Sequence, residues 1–253
     1  MCTVIIDVPD DRAGAVRLLA VRDEDPGRPW HPLGAWWPQL PGVVGVHDIR
    51  AGGAWLAADP ARARVAILLN RADVLDVPDD QLVSRGTMPL ASVAGDAPDA
   101  APRTHGFNLV EVDGATARVR AWDGRALVTT ELQPGVHMLA HDGIDDPATA
   151  RIAHWLPEFR AARPDAVWPQ TWVELLARSA ELGPDDDRAI IRDNRVHGYP
   201  TESLLYCVAT VTDAAADVSY VALPSPAHWT TSTPVADDVM RERDQPSAPQ
   251  RQV

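Results

Sequence analysis

Short apolar runs separated by Pro, Gly and Asp make up most of the chain, and this pattern predicts β-strands joined by turns. The predicted strands lie at about residues 2–8, 15–21, 44–50, 54–58, 64–70, 106–112, 116–122, 126–132, 135–140, 203–212 and 217–223. Asp113-Gly114 and Asp123-Gly124 are strong hairpin signals between neighbouring strands. The turn-rich stretch 73–80 and the Ala/Pro-rich stretch 94–103 are predicted as surface loops.

Helical periodicity appears only late in the chain. Asp146-Pro147 is typical of a helix N-cap and first turn, and apolar residues then recur at helical spacing up to Pro164. A second helix is predicted over about 170–182, ending before Gly183-Pro184. Runs of strands with segregated helices are typical of the α+β class, although this pattern does not fix the order of the layers.

Length and composition favour one large folded unit. With 253 residues, 45% of them hydrophobic, the chain is long enough to bury a substantial core. We expect a single domain over residues 1–235. The polar, Pro-containing tail over 236–253 is predicted to be disordered.

Charge and residue usage exclude several classes of function. The formal net charge of −13 opposes binding to nucleic acid and to anionic membrane surfaces. All 23 basic residues are arginine, which excludes Schiff-base chemistry and a P-loop lysine. The sequence has no apolar run of about 18 residues and no secretion signal, so we expect a cytoplasmic protein without integral membrane association.

The two cysteines occupy very different positions. Cys207 lies in an apolar, strand-like run and is predicted to be a core thiol. Cys2 follows Met1 directly, so removal of Met1 would leave a thiol and a free α-amine on one residue. An α-amine has a pKa of about 7.7 to 8.0 and is able to accept the thiol's proton near neutral pH, a known route to an N-terminal nucleophile. Cys2 is therefore a candidate nucleophile.

A charged segment follows the second predicted strand. If the first two strands form a hairpin, Arg22 and Asp23 lie near Cys2. There the guanidinium would favour the thiolate, and the carboxylate would orient the α-amine. The alternative is an ordinary solvated turn, because Asp, Glu, Pro and Gly are common turn residues.

Six short segments carry a resemblance to a known family. They are Met1-Cys2, Val21-Arg22-Asp23-Glu24 with Arg28-Pro29, Gly52-Gly53-Ala54-Trp55-Leu56, Ala66-Ile67-Leu68-Leu69-Asn70, Ser84-Arg85-Gly86 and Gly106-Phe107-Asn108-Leu109. Over roughly residues 1–225 the chain resembles the transport and Golgi organisation proteins, named in bacteria for an Asn-Arg-Asp-Glu motif and related in fold to N-terminal-nucleophile hydrolases. The resemblance implies a four-layer αββα sandwich of two antiparallel sheets, with the nucleophile at the end of a central strand.

The chain also departs from this family pattern. Val21 replaces the first Asn of the motif, and Leu69 replaces a Thr. The segment 136–143 replaces a Gly-Leu-Ser-Asn stretch, and Glu202 stands where an arginine is expected. These departures identify a divergent member. The resemblance therefore does not establish that the family's substrate contacts, or its activity, are retained in this chain.

The resemblance and the residues together favour a cysteine N-terminal-nucleophile hydrolase-like protein. Its substrate would be a non-peptide amide, or related acyl bond, of a small apolar metabolite. Cys2 is the nucleophile, Arg22 and Asp23 tune and orient it, and Asn70, at a strand end, is a candidate oxyanion donor. The alternative is a noncatalytic carrier or chaperone, because the family is also implicated in handling haem and acylated cofactors. The hydrolase hypothesis requires no cofactor, and the sequence lacks metal-binding spacings.

Aromatic residues after the charged segment predict a binding pocket. Trp30, Trp36 and Trp37 lie in a stretch of about twenty residues between Asp25 and Gly45 that is rich in proline and has little apolar periodicity. A long loop beside a nucleophile is expected to open an apolar cleft walled by these tryptophans.

Gly53 and Trp55 are further candidates for ligand contact. Gly52-Gly53 would allow the backbone to approach a ligand closely. A simple turn before Trp55 is an equally good explanation of the glycine pair.

Overall fold

Two antiparallel β-sheets, with helices on their outer faces, form the protein. The computed structural model describes residues 2–164 and 168–230. The strands within these ranges are β1 Thr3–Val8, β2 Val16–Glu24, β3 Trp30–Gly34, β4 Val44–Asp48, β5 Gly53–Asp59, β6 Arg64–Asn70, β7 Phe107–Asp113, β8 Thr116–Trp122, β9 Leu127–Glu131, β10 Gly135–Leu139, β11 Glu202–Val211 and β12 Ala216–Ala222. The α-helices are α1 Met88–Ala94, α2 Ala150–Ala161 and α3 Gln170–Ala180.

The strand order places β1, which follows Cys2, and β2, which carries the charged segment, in the interior of one sheet. The first sheet has the order β10-β1-β2-β11-β12, and the second has the order β3-β4-β5-β6-β7-β8-β9. β1 and β2 form an antiparallel pair with Thr3 opposite Val21. On its other edge β2 pairs with β11, with a register irregularity between Ser203 and Leu205. The end of β2 is therefore held between two neighbouring strands.

Three hydrophobic cores separate four structural layers. The core between the sheets contains Ile6 of β1 and Leu56 of β5. A second core, between the first sheet and the helices α2 and α3, contains Ile5 and Trp155. A third core, between the second sheet and α1, contains Leu90. Adjacent residues of β1 face different cores because strand side chains alternate. This arrangement confirms the α+β class and the four-layer αββα sandwich.

All the predicted strands are present, with ends that differ by no more than three residues from the predicted ends, but one strand and one helix were not predicted. β3 contains Pro32 and is one of the two edge strands of its sheet, where a missing N–H donor costs no ladder hydrogen bond. The region 25–45 is therefore partly a regular strand and not one long loop. α1 has seven residues with Pro89 in its first turn, too short for a clear helical period.

The first predicted helix begins later than the sequence suggested. The Asp146 side chain accepts a hydrogen bond from the backbone N–H of Ala148 at 2.9 Å, and its carbonyl accepts one from Thr149 at 3.1 Å. These bonds close a turn before the helix. α2 then starts at Ala150, with Thr149 as its N-cap residue.

The predicted disordered tail, residues 236–253, lies outside the described residues. Among the helices that the structure describes, none combines the length and the apolar character needed to cross a membrane.

Candidate functional site

Cys2 lies immediately before β1, against the charged end of β2. The residue is 8% exposed and belongs to the core between the sheets. The backbone N–H of Asp23 donates to the Cys2 Sγ atom at 3.4 Å, and the thiol donates to the Asp23 carbonyl oxygen at 3.6 Å. The hairpin of β1 and β2 thus brings Cys2 next to the charged pair, as the sequence predicted.

Arg22 is a buried cation on the same side of β2 as Cys2. It is 1% exposed and lines a cavity together with Cys2. Its Nη2 atom lies 3.5 Å from Glu24 Oε2, and its guanidinium carbon lies 5.9 Å from the centre of the Trp30 ring. Its Nη1 atom has no hydrogen-bond partner among the described residues. One donor of this buried guanidinium is therefore unused.

The Asp23 carboxylate is fixed by contacts from distant parts of the chain. Its Oδ1 atom accepts a hydrogen bond from the Ser203 hydroxyl at 2.6 Å, and its Oδ2 atom accepts one from the Asn194 amide at 3.3 Å. Ser203 lies opposite Asp23 in the β2–β11 pairing, and Asn194 begins a 3₁₀ turn. Because Asp23 is only 6% exposed, these bonds set the direction of its carboxylate.

The environment of Cys2 keeps its thiol protonated. Burial raises the pKa of the Cys2 thiol, and the Asp23 carboxylate raises it further, whereas Arg22 lowers it by a smaller amount. Arg22 therefore acts in the direction that the sequence suggested, and Asp23 acts against the thiolate. A nucleophilic Cys2 requires a base to remove its proton.

We expect the substitutions Asp23→Asn and Arg22→Ala to shift the pKa of the Cys2 thiol in opposite directions. Removing the carboxylate lowers the pKa and increases the rate of alkylation by iodoacetamide at pH 7, by about tenfold for each pKa unit. Removing the guanidinium raises the pKa and slows alkylation. Asp10→Asn, with a side chain that is 74% exposed, is the matched control. If the pKa of the Cys2 thiol shifts in the same direction in both variants, Asp23 and Arg22 do not have opposite electrostatic effects on it.

Two cavities meet at this end of the sandwich. The smaller cavity, of about 140 Å³, has Cys2 in its wall. The larger cavity, of about 540 Å³, lies beside the start of α2. Asp23 and Asn70 line both cavities. A ligand in the larger cavity would therefore lie next to the residues that surround the thiol.

Five of the candidate site residues are brought together. The smaller cavity is lined by Cys2, Arg22, Asp23, Asn70 and Trp55. Asn70 is the last residue of β6, and its side chain lies at a strand end as predicted. The Nε1 atom of Trp55 is buried and has no hydrogen-bond partner among the described residues.

The tryptophans of the predicted cleft lie elsewhere, which corrects that prediction. Trp37 packs in the core between the second sheet and α1, on the far side of that sheet. Trp36 stacks on His31 at the surface, with ring centres 4.5 Å apart. Trp30 packs against the core between the sheets, where its ring faces the Arg22 guanidinium, and its backbone pairs with Asp48 of the smaller cavity. None of these three tryptophans lines either of the two cavities.

Gly53 supports chain packing and does not line either cavity, which corrects its predicted role in ligand contact. A Cβ atom at Gly53 would lie 2.1 Å from the carbonyl oxygen of Gly86. Glycine at this position allows the 3₁₀ turn Arg85–Thr87 to press against β5. Gly86 and Arg85 of this turn line the smaller cavity. Gly53 therefore affects the shape of the cavity indirectly, by allowing the turn to lie close to β5.

Two arginines of the larger cavity, Arg151 and Arg192, were not predicted from the sequence. Arg151 lies in the first turn of α2, where a cation opposes the helix dipole, and this unfavourable placement is the one local signal. Arg192 and the two Asp23 partners, Asn194 and Ser203, lie far from Asp23 in sequence. No local pattern connects them.

The described residues contain no group of three or more His, Cys, Asp or Glu side chains arranged to hold a metal ion. The His137 ring is bound through Nδ1 to Asp145 at 2.8 Å. Cys207 is fully buried, and burial raises the pKa of its thiol. This confirms the prediction that Cys207 is a core thiol.

Comparison with known proteins identifies the family. A solved structure of a Caenorhabditis elegans N-acylethanolamine-hydrolyzing acid amidase ortholog matches with a TM-score of 0.48 and 11% sequence identity, covering 86% of this chain and 100% of that chain. No curated protein matches the sequence. The model of the Transport and Golgi organisation 2 family matches residues 1–165, which is more than half of the 253 residues. The chain therefore belongs to the Transport and Golgi organisation 2 family, and the resemblance carried by the six sequence segments is confirmed.

Proposed function

We propose that this chain is a cysteine hydrolase whose nucleophile is exposed by removal of Met1, and that it cleaves a non-peptide amide or related acyl bond of a small acylated ligand. The observation that carries the proposal is the position of Cys2 in the wall of a cavity, with Arg22, Asp23 and Asn70 in the same wall. Both cysteines are free thiols. A free catalytic thiol is best maintained in a reducing compartment, so we place the activity in the cytoplasm.

The proposed reaction uses the α-amine of Cys2 as its base. The neutral amine takes the thiol proton, and Sγ attacks the carbonyl carbon to form a tetrahedral intermediate. The Asn70 amide donates a hydrogen bond to the oxyanion. Collapse of the intermediate breaks the C–N bond, and the ammonium returns the proton to the leaving nitrogen. Water then attacks the thioester by the same route, releasing the acid and restoring the thiol.

The raised thiol pKa explains why an internal base is needed. A thiol buried beside a carboxylate is seldom ionised at neutral pH, because its pKa is raised. A cysteine with a blocked α-amine would therefore react slowly. Arg22 compensates the negative charge that develops on Sγ. Asp23, held by Ser203 and Asn194, orients the α-amine and balances its charge when it is protonated.

The second candidate function is a noncatalytic carrier or chaperone for haem or an acylated cofactor. The observation in its favour is that the Cys2 thiol is buried and that burial raises its pKa, which keeps the thiol protonated. A carrier requires neither removal of Met1 nor a reactive thiol.

Intact mass spectrometry separates the two functions. We expect the purified protein to lack Met1, and Cys2 to be alkylated by iodoacetamide much faster than Cys207, because Cys207 is 0% exposed and Cys2 borders a cavity. Acid-quenched time points followed by peptide mapping give the two rates. Retention of Met1, or equal alkylation rates at the two cysteines in the folded protein, would contradict the hydrolase function and favour the carrier function.

A further inference from the structure

Two buried N–H donors without hydrogen-bond partners belong to the wall of the smaller cavity. Arg22 is 1% exposed and Trp55 is 6% exposed. The Nη1 atom of Arg22 and the Nε1 atom of Trp55 have no hydrogen-bond partner among the described residues. Both residues line the cavity of about 140 Å³ that has Cys2 in its wall. A buried donor without an acceptor is unfavourable, so we expect an acceptor for these two groups inside the cavity.

The two donors reach the cavity from opposite sheets. Leu18 and Ala20 of β2, and Cys2 before β1, belong to the core between the sheets. Because side chains alternate along a strand, Arg22 faces this core as well. Trp55 belongs to the same core and comes from β5 of the second sheet. The two unpartnered donors therefore approach the cavity from its two sides, beside the thiol.

A β-bulge turns the Trp55 side chain towards this core. Consecutive residues of β4, Val46 and His47, pair with Leu56 and Ala54 of β5. Trp55 is therefore an extra residue of β5 without a partner on β4. Trp55 and Leu56 are adjacent, yet both belong to the core between the sheets, whereas Ala54 packs on the other face. Strict alternation would place only one of the two in that core, and bulges beside active sites commonly redirect a side chain in this way.

The wall of the smaller cavity is balanced in charge. It contains three arginines and three carboxylates, namely Arg22, Arg28 and Arg85, and Asp23, Glu24 and Asp48. Glu24 Oε2 lies 3.5 Å from Arg22 Nη2 and compensates the charge of that guanidinium. The unused Nη1 donor, and not an excess of positive charge, therefore calls for a ligand. A single acceptor oxygen suits such a wall better than a multiply charged group.

Buried donors are more effective here than the exposed one. Asn70, the oxyanion donor of the proposed reaction, is exposed at the end of β6, so water competes for its amide. Arg22 and Trp55 are removed from water, and in a low local dielectric constant they act more strongly on a developing negative charge. The cavity of about 140 Å³ also has room for more than a water molecule, which occupies about 30 Å³ in the liquid.

We propose that Arg22 Nη1 and Trp55 Nε1 donate to the oxygen of the scissile acyl group, with Asn70 as a third, exposed donor. When Sγ attacks, the S–C bond forms and the π electron pair of the C=O bond moves to this oxygen, so both hydrogen bonds strengthen. When the C–N bond breaks, the pair returns and the oxygen becomes the carbonyl oxygen of the thioester. After hydrolysis it is a carboxylate oxygen of the acid. The identity of this oxygen rests on the proposed hydrolase function, whereas the binding of an acceptor by the two donors does not.

Proton–nitrogen NMR correlation spectra test acceptor binding without turnover. The protein is the isotope-labelled Cys2→Ala variant of the full chain, in which the Trp55 indole resonance is assigned through bonds and needs no Trp55 variant. Sodium hexanoate is the probe, and hexylammonium chloride, with the same chain and no acceptor oxygen, is the control. Hexanoate should move the Trp55 indole proton downfield in a saturable way. The Trp122 indole proton should not move, because Trp122 Nε1 already donates to the Thr104 carbonyl oxygen at 3.1 Å.

Kinetics with 4-nitrophenyl hexanoate test the catalytic assignment. Trp55→Phe removes the N–H donor, keeps an aromatic ring and should lower kcat by about 10² to 10³-fold, with a much smaller change in KM. Trp122→Phe is the matched control, because Trp122 is 4% exposed and lines neither cavity. This control loses a hydrogen bond, so it should lose stability while it keeps the parent kcat.

The two experiments separate the acceptor site from the hydrolase function. A titration without a saturable shift at Trp55, or the same shift with hexylammonium, overturns the acceptor site. An unchanged kcat in folded Trp55→Phe overturns the catalytic assignment, although the hydrolase function of the parent would stand. If the parent chain hydrolyses no ester, the hydrolase function fails on its own, and the titration still decides whether the two donors bind an acceptor. The titration also decides if Trp55→Phe does not fold.

Discussion

Replacing Cys2 with alanine should reduce hydrolysis of an acyl test substrate such as 4-nitrophenyl hexanoate by at least about 10³-fold. Without Sγ no covalent acyl intermediate forms, and the remaining groups offer only electrostatic stabilisation and binding. The fold should be preserved, because Cys2 precedes β1 and contributes only a small side chain to the core between the sheets. Release of 4-nitrophenolate, corrected for the uncatalysed rate, measures the loss.

Cys207→Ala is the matched control for this prediction. Cys207 is a second thiol of the same core, but it is completely buried and lines neither cavity. We expect the control to keep the parent rate within about twofold and to lose about 1 kcal/mol of stability through a small cavity. Equal losses of activity in both variants would mean that the effect at Cys2 reflects damaged packing and not a missing nucleophile.

Gly53→Ala should produce the largest loss of stability among the substitutions at the site. The new Cβ would lie 2.1 Å from the Gly86 carbonyl oxygen and 2.2 Å from its carbonyl carbon, so a backbone segment must move. Overpacking of this kind costs about 1 to 3 kcal/mol, and more where the backbone cannot yield. The same movement displaces Arg85, so the smaller cavity should change shape as well. Urea denaturation gives the free energy of unfolding.

Gly143→Ala provides the comparison, because the nearest atoms to its Cβ would be those of Asp146, at 3.8 and 4.0 Å. We expect its free energy of unfolding to stay within about 0.5 kcal/mol of the parent value. If Gly53→Ala is as stable as Gly143→Ala, the close approach of the turn Arg85–Thr87 to β5 is not a constraint on the fold.

The β-hairpin that presents Cys2 is predictable because it depends on local patterns. The apolar runs at β1 and β2 lie next to each other in sequence, and period-two alternation fixes which side chains share a face. Charged residues at the end of β2 must then lie beside the start of β1. For this reason the amino-acid pattern alone correctly places Arg22 and Asp23 near Cys2.

The rest of the site depends on long-range contacts that no local pattern encodes. Ser203 and Asn194 reach Asp23 across 180 and 171 residues. The prediction of a cleft walled by tryptophans was wrong for a related reason. Nearness in sequence to the charged segment does not specify on which face of the sheet a side chain lies. β3 pairs as an edge strand, and the chain after it carries Trp37 to the far side of the second sheet. The local sequence pattern does not specify which core buries each aromatic residue.

Acyl-enzyme trapping tests the central claim most directly. The protein is mixed with 4-nitrophenyl hexanoate, quenched with acid within the first turnover, and analysed by intact mass and peptide mapping. The account predicts one hexanoyl group, carried by an N-terminal peptide that begins at Cys2 and lacks Met1, and a matching burst of 4-nitrophenolate. A hexanoyl group on Cys207, an adduct on a peptide that retains Met1, or the absence of any adduct would contradict the account.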